Sequence, residues 1–167
     1  MAKKIMAWSE CNIEIGKTGA NDAMATDLTS IGTIKDKSSS LEPSDGDALE
    51  AKSTGGHTVA KEVQEGGFKL VTRVIEPEDS LLTTLGLGEA KEGDFNVKTH
   101  IVDGDFSVKV TPKNVGAKGI KAPKTNITYK PGWSEEEGNY ADLEFEILHG
   151  EAGYWYSRFT KAAAAGG

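Results

Sequence analysis

Cysteine, aromatic side chains, clustered histidines and long apolar runs are all scarce in this 167-residue chain, and each scarcity removes a class of protein. The single cysteine, Cys11, has no partner for an intramolecular disulfide, so nothing points to a small secreted scaffold stapled by disulfides. No stretch approaches the roughly 18 apolar residues of a membrane span. The opening MAKKIMAWSE carries two lysines but lacks the apolar core of a signal peptide. The expectation is a chain with no membrane partner, made in a reducing cytoplasm. Positive charge is outnumbered as well: 19 Lys and Arg stand against 26 Asp and Glu, a formal net charge of -7. That balance disfavours a nucleic-acid clamp, which needs a clustered basic face to displace counterions from phosphates. It is compatible with a surface that faces DNA without holding it.

Catalytic and metal-binding patterns are equally thin. His57, His100 and His149 lie far apart, and none belongs to an HExxH, HxH or CxxC arrangement. There is no GxSxG elbow, no Walker A pattern and no histidine evidently paired with Cys11. GLGEAK at 86–91 imitates a dinucleotide fingerprint, but Lys91 stands where the third glycine should be and no βαβ unit surrounds it. The carboxylates Asp142, Glu144 and Glu146 share one face at two-residue spacing, as do glycosidase or calcium-site pairs, yet a solvated strand face explains them with water alone. SEEEG at 134–138 reads as a solvated loop, and Asn126-Ile127-Thr128 matters as a glycosylation sequon only in a secretory pathway. The expectation is no enzyme, no cofactor and no metal.

What is present is β pattern. With 37% hydrophobic residues and 20 glycines, the chain is long enough for one core and rich in turns. Residues 1–160 are expected to form a single domain, with 161–167, ending AAAAGG, as a flexible tail. In IMAWSECNIEIG (5–16), Ile5, Ala7, Cys11, Ile13 and Ile15 alternate with Trp8, Glu10, Asn12 and Glu14, which predicts a strand with one buried side and makes Cys11 a packing residue. Residues 17–66 carry turn chemistry at Pro43-Ser44-Asp45-Gly46, Gly55-Gly56 and Gly66-Gly67, with few apolar residues between. They predict two or three thin strands and a long polar loop or arm, at about 43–67, that cannot bury itself.

Phe68, Leu70, Thr72 and Val74 then predict one face of a strong strand. Pro77, Glu78 and Asp79 suit a helix start and Gly86 its end, giving a short helix over about 77–85 whose Leu81, Leu82 and Leu85 form the buried stripe. DFNVKTHIVDGDFSVKV (94–110) reads as a hairpin turning at Asp103-Gly104, with Ile101 opposite Phe106, Thr99 opposite Val108 and Val97 opposite Val110. TNITYK reads as a further short strand and PGWSEEEGN as a loop. Ala141, Leu143, Phe145 and Ile147 point inward on a strand at 140–148, and GYWYSRFTK pairs back onto it. The fold class that follows is mainly β: an antiparallel β-sandwich or partly closed barrel with one short flanking helix.

The order of these elements resembles a known family. A strand near the N-terminus, the polar segment SSSLEPSDGDALEAKSTGGHTVAKEVQEGG, the strand FKLVTRVIE, the helix PEDSLLTTLG and a run of antiparallel hairpins are together similar to the tail tube (major tail) proteins of long-tailed bacteriophages and related injection machines. The layout covers most of the chain and is most telling over 31–86.

The resemblance implies a structural virion protein whose hexameric rings stack into a hollow tube for DNA passage. It implies no catalytic residues and no cofactor. The implied partners are copies of the same chain, other tail proteins and DNA in transit, first in the bacterial host cytoplasm and then in the virion tail. It also makes the polar ribbon the arm that reaches a neighbouring subunit, with Asp47, Leu49, Thr54, His57, Val59 and Val63 as interface candidates. One sheet would line the channel, and Asp142, Glu144 and Glu146 are candidates to face it, their unpaired negative charge keeping phosphates from docking. The secreted tube protein of a bacterial secretion system is close to this reading. The rival is a carbohydrate-binding or other β-sandwich binding module using Trp8, Trp133, Tyr154 or Trp155 as stacking platforms; an enzyme built on several carboxylates stands further off.

Overall fold

Alternating apolar residues set the strands, and antiparallel ladders join most of them into one large sheet. The computed structural model describes residues 5–6, 10–43, 46, 48–63, 66–151 and 153–163. Its strands are β1 (Cys11–Lys17), β2 (Thr29–Ser30), β3 (Ser40–Pro43), β4 (Ala48–Lys52), β5 (Thr58–Val63) and β6 (Phe68–Ile75). After the helix α1 (Asp79–Thr84) come β7 (Gly88–Lys91), β8 (Asp94–Val97), β9 (Phe106–Pro112), β10 (Lys118–Ser134), β11 (Gly138–Ile147) and β12 (Ser157–Thr160). The main sheet runs β2-β1-β9-β10-β11-β6-β3 with β12 also on β10, while β4–β5 and β7–β8 are separate two-stranded ladders. The molecule is thus mainly β and antiparallel with one short helix, as expected; the sheet is not closed into a barrel and is consistent with a sandwich.

β10 holds the two halves of the sheet together. Residues 120–122 pair with β9 and residues 125–134 with β11, and the register shifts between Ala122 and Thr125. Pro123 sits at that irregularity, where a strand interior tolerates a missing N–H. Its carbonyl accepts hydrogen bonds from the hydroxyls of Thr18 and Ser107, both at 2.8 Å, and the Thr125 hydroxyl donates to the Phe106 carbonyl at 2.7 Å. These bonds satisfy polar groups that burial would otherwise leave stranded. The segment after β2 laces the edges: the Ile31 N–H donates to Ile13 of β1, whereas Lys35 donates to, and Thr33 accepts from, β6. The enclosed core joins Ile13, Ile15, Leu70, Val74, Phe106, Val108, Ile127, Leu143 and Phe145 to Leu81 and Leu82 of α1 and to Leu85, its C-cap. The helix therefore seals the core with the leucine stripe that its spacing predicts. Glu76, left-handed at φ 44, turns the chain from β6 into Pro77 and accepts the Asn139 N–H at 3.0 Å.

Several expectations need correction. The hairpin over 94–110 does not form. β8 pairs instead with β7 around the two-residue turn Glu92-Gly93, whose φ values of 54 and 86 suit the tight turns that match strand twist. β9 is left to pair with β1 and β10, which set Ile13 and Ile120 opposite Val110, and Ile15 and Ala122 opposite Val108. Val97 and Ile101, expected inward, are 61% and 68% exposed, and Val102 is buried in their place. TNITYK is the middle of a 17-residue strand that runs on through Pro131-Gly132-Trp133-Ser134, so the loop is confined to 135–137. GYWYSRFTK does not pair with β11, because β10 and β6 occupy both of that strand's edges; β12 pairs with Lys118–Lys121. Ile5 is exposed and the first strand begins only at Cys11, which is half-buried. Lys161, placed in the free tail, is bonded through its backbone to Gly116 and Ala117. The expectations for Ala7, Trp8, Ser44, Asp45, Asp47 and residues 164–167 fall outside the described residues.

Candidate functional site: a projecting hairpin and a charge-paired face

The polar ribbon is a β-hairpin inserted into another. β3 and β6 pair with Pro43 opposite Phe68, so the chain leaves the sheet and returns at adjacent positions. Between them β4 and β5 form their own ladder, Leu49 opposite Glu62, Glu50 opposite Lys61 and Ala51 opposite Ala60, with a bulge at Val59 before Lys52 meets Thr58. Every residue from 48 to 62 is exposed. A lone two-stranded ladder is marginal in water because it has no third layer to bury a face.

Residues directly opposite each other in an antiparallel pair share a face. One face of the hairpin carries Glu50, paired with Lys61 at 3.4 Å and Lys52 at 3.8 Å. The other carries Leu49, Ala51, Ala60 and Glu62, and Leu49 is 54% exposed. Of the interface candidates, Thr54 and His57 lie at the turn and are exposed, Val59 is the bulged residue at 67% exposure, and Val63 pairs with Ala48 in the ladder. Asp47 lies outside the described residues.

The outer face of β6, β10 and β11 holds the acidic candidates, and two of them, Asp142 and Glu144, are charge-paired rather than unpaired as expected. Register sets Asp142 opposite Arg73, and the guanidinium grips the carboxylate with two hydrogen bonds, Nε to Oδ1 at 2.6 Å and Nη2 to Oδ2 at 2.9 Å. Nη1 reaches Glu137 at 2.9 Å, Lys35 also pairs with Glu137, and the guanidinium lies 4.3 Å from the centre of the Tyr140 ring. Glu144 is held by Lys69 and Lys130, each at 3.3 Å. Glu146, exposed, has no ion-pair partner among the described residues. Strands far apart in sequence bring outward-facing cations beside Asp142 and Glu144, Arg73 directly opposite the first and Lys69 and Lys130 diagonal to the second. Arg73, Lys35, Glu137, Lys69 and Lys130 were not singled out from sequence, although Lys69 and Arg73 occupy outward positions on an alternating strand.

Several carboxylates are shifted by their partners. The Lys35 hydrogen bond, aided by the charges of Lys35 and Arg73, holds Glu137 below the ordinary glutamate value of 4.5. Burial pushes Glu144 upward, but hydrogen bonds and charge from Lys69 and Lys130 outweigh it and the result is lower. Elsewhere, the hydrogen bond from the Glu151 N–H, aided by Lys124, lowers Asp22. A carboxylate whose pKa is lower folded than unfolded contributes stability that is complete above the unfolded value and is lost as pH falls through the folded one. The thermal midpoint should therefore stay level on acidification to about pH 5 and drop below it. The double variant Glu137→Gln/Glu144→Gln should drop less, a difference that thermal unfolding across a pH series reads directly.

Among the described residues no three His, Cys, Asp or Glu side chains gather as a metal site, and burial raises the thiol pKa of Cys11. The stacking platforms are dispersed. Trp155 packs edge-on against Phe68 and His149, with ring centroids 6.0 and 5.1 Å apart, so its ring is engaged. Trp133, 67% exposed, lies near the Ile75 end of β6, and Tyr154 adjoins the cluster at the Phe68 end. Trp8 lies outside the described residues. Set against known protein families and curated proteins, the chain matches none.

Proposed function

We propose that this chain is a structural subunit that associates with copies of itself into stacked, hexameric rings, forming a tube of the bacteriophage-tail type through which DNA passes. One observation carries the reading: a hairpin whose residues 48–62 are all exposed projects from the β3–β6 edge with an apolar face that its own body does not cover. Such an element gains order and burial from a neighbour. A contact between two different patches, repeated from copy to copy, closes into a ring or runs on as a filament, and a tube needs both kinds. β3 and β12, each paired on one side only among the described strands, add further places for lateral contact.

The charge-paired face fits a conduit for a different reason from the one expected. Its lysines and arginine are already engaged by carboxylates, so a passing phosphate displaces few counterions and is not gripped. Electron microscopy and sedimentation of the concentrated protein over a range of salt test the proposal. Annular particles or tubes are the expected result; a monomer at every concentration and salt would reject it.

A further inference from the structure

A second surface on the molecule matches the free face of the hairpin. A groove of about 320 Å³ is lined by Leu41 of β3, Gly119 and Ile120 of β10, Tyr156, and the exposed Ile5 and Met6, with Lys118 and Arg158 at its side. Its volume sits at the small end of ligand pockets, about 300–1,000 Å³, and β3 and β12 beside it are each paired on one side only among the described strands. Among the described residues Lys118 and Arg158 have no carboxylate partner and no carboxylate lines the groove. On the hairpin, Glu62 stands opposite Leu49 and has no cation partner among the described residues. Among the described residues, therefore, one surface offers an apolar strip with a negative charge that no cation pairs, the other an apolar groove with two positive charges that no carboxylate pairs, Lys118 donating only to the Thr160 hydroxyl.

We infer that this groove is the seat of the β4–β5 hairpin of a second copy, Leu49, Ala51 and Ala60 entering the apolar floor and Glu62 meeting Arg158 and Lys118. The inference rests on the assembly reading above and names its contact. Buried apolar contact supplies the hold, while the charge pair fixes the register and rejects a reversed approach. Hairpin and groove are different patches, so the contact is of the head-to-tail kind that propagates.

Two variants separate this contact from assembly in general: Leu49→Asn/Glu62→Gln, which removes the hairpin's apolar anchor and its charge, and Lys118→Glu/Arg158→Glu, which spoils the groove. Each, checked for an unchanged thermal midpoint, should lose the assembled fraction that wild-type protein shows in sedimentation velocity. Mixed in equal amounts, they should form a heterodimer and stop there, because one intact hairpin meets one intact groove. Assembly of the groove variant at the wild-type level, or a mixture that stays monomeric, would overturn the groove assignment while leaving self-assembly standing. A wild-type protein that never assembles would overturn both.

Discussion

Replacing residues 48–62 by a short Gly–Ser turn should abolish rings and tubes while moving the thermal midpoint of the remaining domain by no more than about 4 °C, the equivalent of roughly 1 kcal/mol in a chain of this size. The separation follows from where the hairpin is attached. Pro43 and Phe68 are already opposite each other in the β3–β6 ladder, so shortening the excursion leaves both strands in place. Loop-closure entropy changes slowly with length, about 0.6 kcal/mol per doubling, and a shorter loop acts in favour of folding. Residues 48–62 are exposed throughout and contribute nothing to the core cluster, so their loss removes no buried apolar area from the domain. Differential scanning fluorimetry and negative-stain microscopy on the same preparation read both halves of the result. A shortened protein that still forms tubes would place the assembly contact elsewhere. One that unfolds would show the hairpin to be part of the domain's own stability.

The elements that could be read from sequence are those whose information is local. β11 alternates strictly, so Ala141, Leu143, Phe145 and Ile147 had to share one face, and all four are buried. The leucines of α1 sit at helical spacing behind Pro77, and the ribbon's poverty in apolar residues marked it as unable to bury itself. The failures concern pairing across distance. Glu92-Gly93 and Asp103-Gly104 are both acceptable two-residue turns, and choosing between them depends on whether β9 finds better partners in β1 and β10, which lie far away in the chain. Adjacency in sequence points β12 to β11, but β6 occupies that edge. The candidate site divides the same way. Leu49 and Val59 were readable as exposed apolar residues, whereas the matching of Arg73 to Asp142, 69 residues apart, is fixed by strand register, and the groove gathers its lining from several strands. An excess of acid in the composition therefore said little about the field over any one face.

Phe145→Ala should be the most damaging single substitution in the domain, at about 3–5 kcal/mol, the usual cost of deleting a buried phenylalanine side chain. Phe145 is fully buried, belongs to the one cluster that joins the sheet to α1, and sits opposite Leu70 on one neighbouring strand and Ile127 on the other. The ring fills close-packed interior, so both the lost transfer energy and the cavity left behind count against the variant. At roughly 2–4 °C per kcal/mol for a protein of this length, the midpoint should fall by about 6–20 °C. Glu146→Ala is the control, one residue along the same strand, outward-facing and without an ion-pair partner among the described residues; substitutions of that kind stay within about 0.5 kcal/mol. Thermal and urea unfolding of the two variants side by side then isolate burial from strand propensity. Equal midpoints for the pair would mean that β11 does not present alternate faces to core and solvent, and with that the sheet register, the pairing of Asp142 with Arg73 and the position of the hairpin would all have to be redrawn.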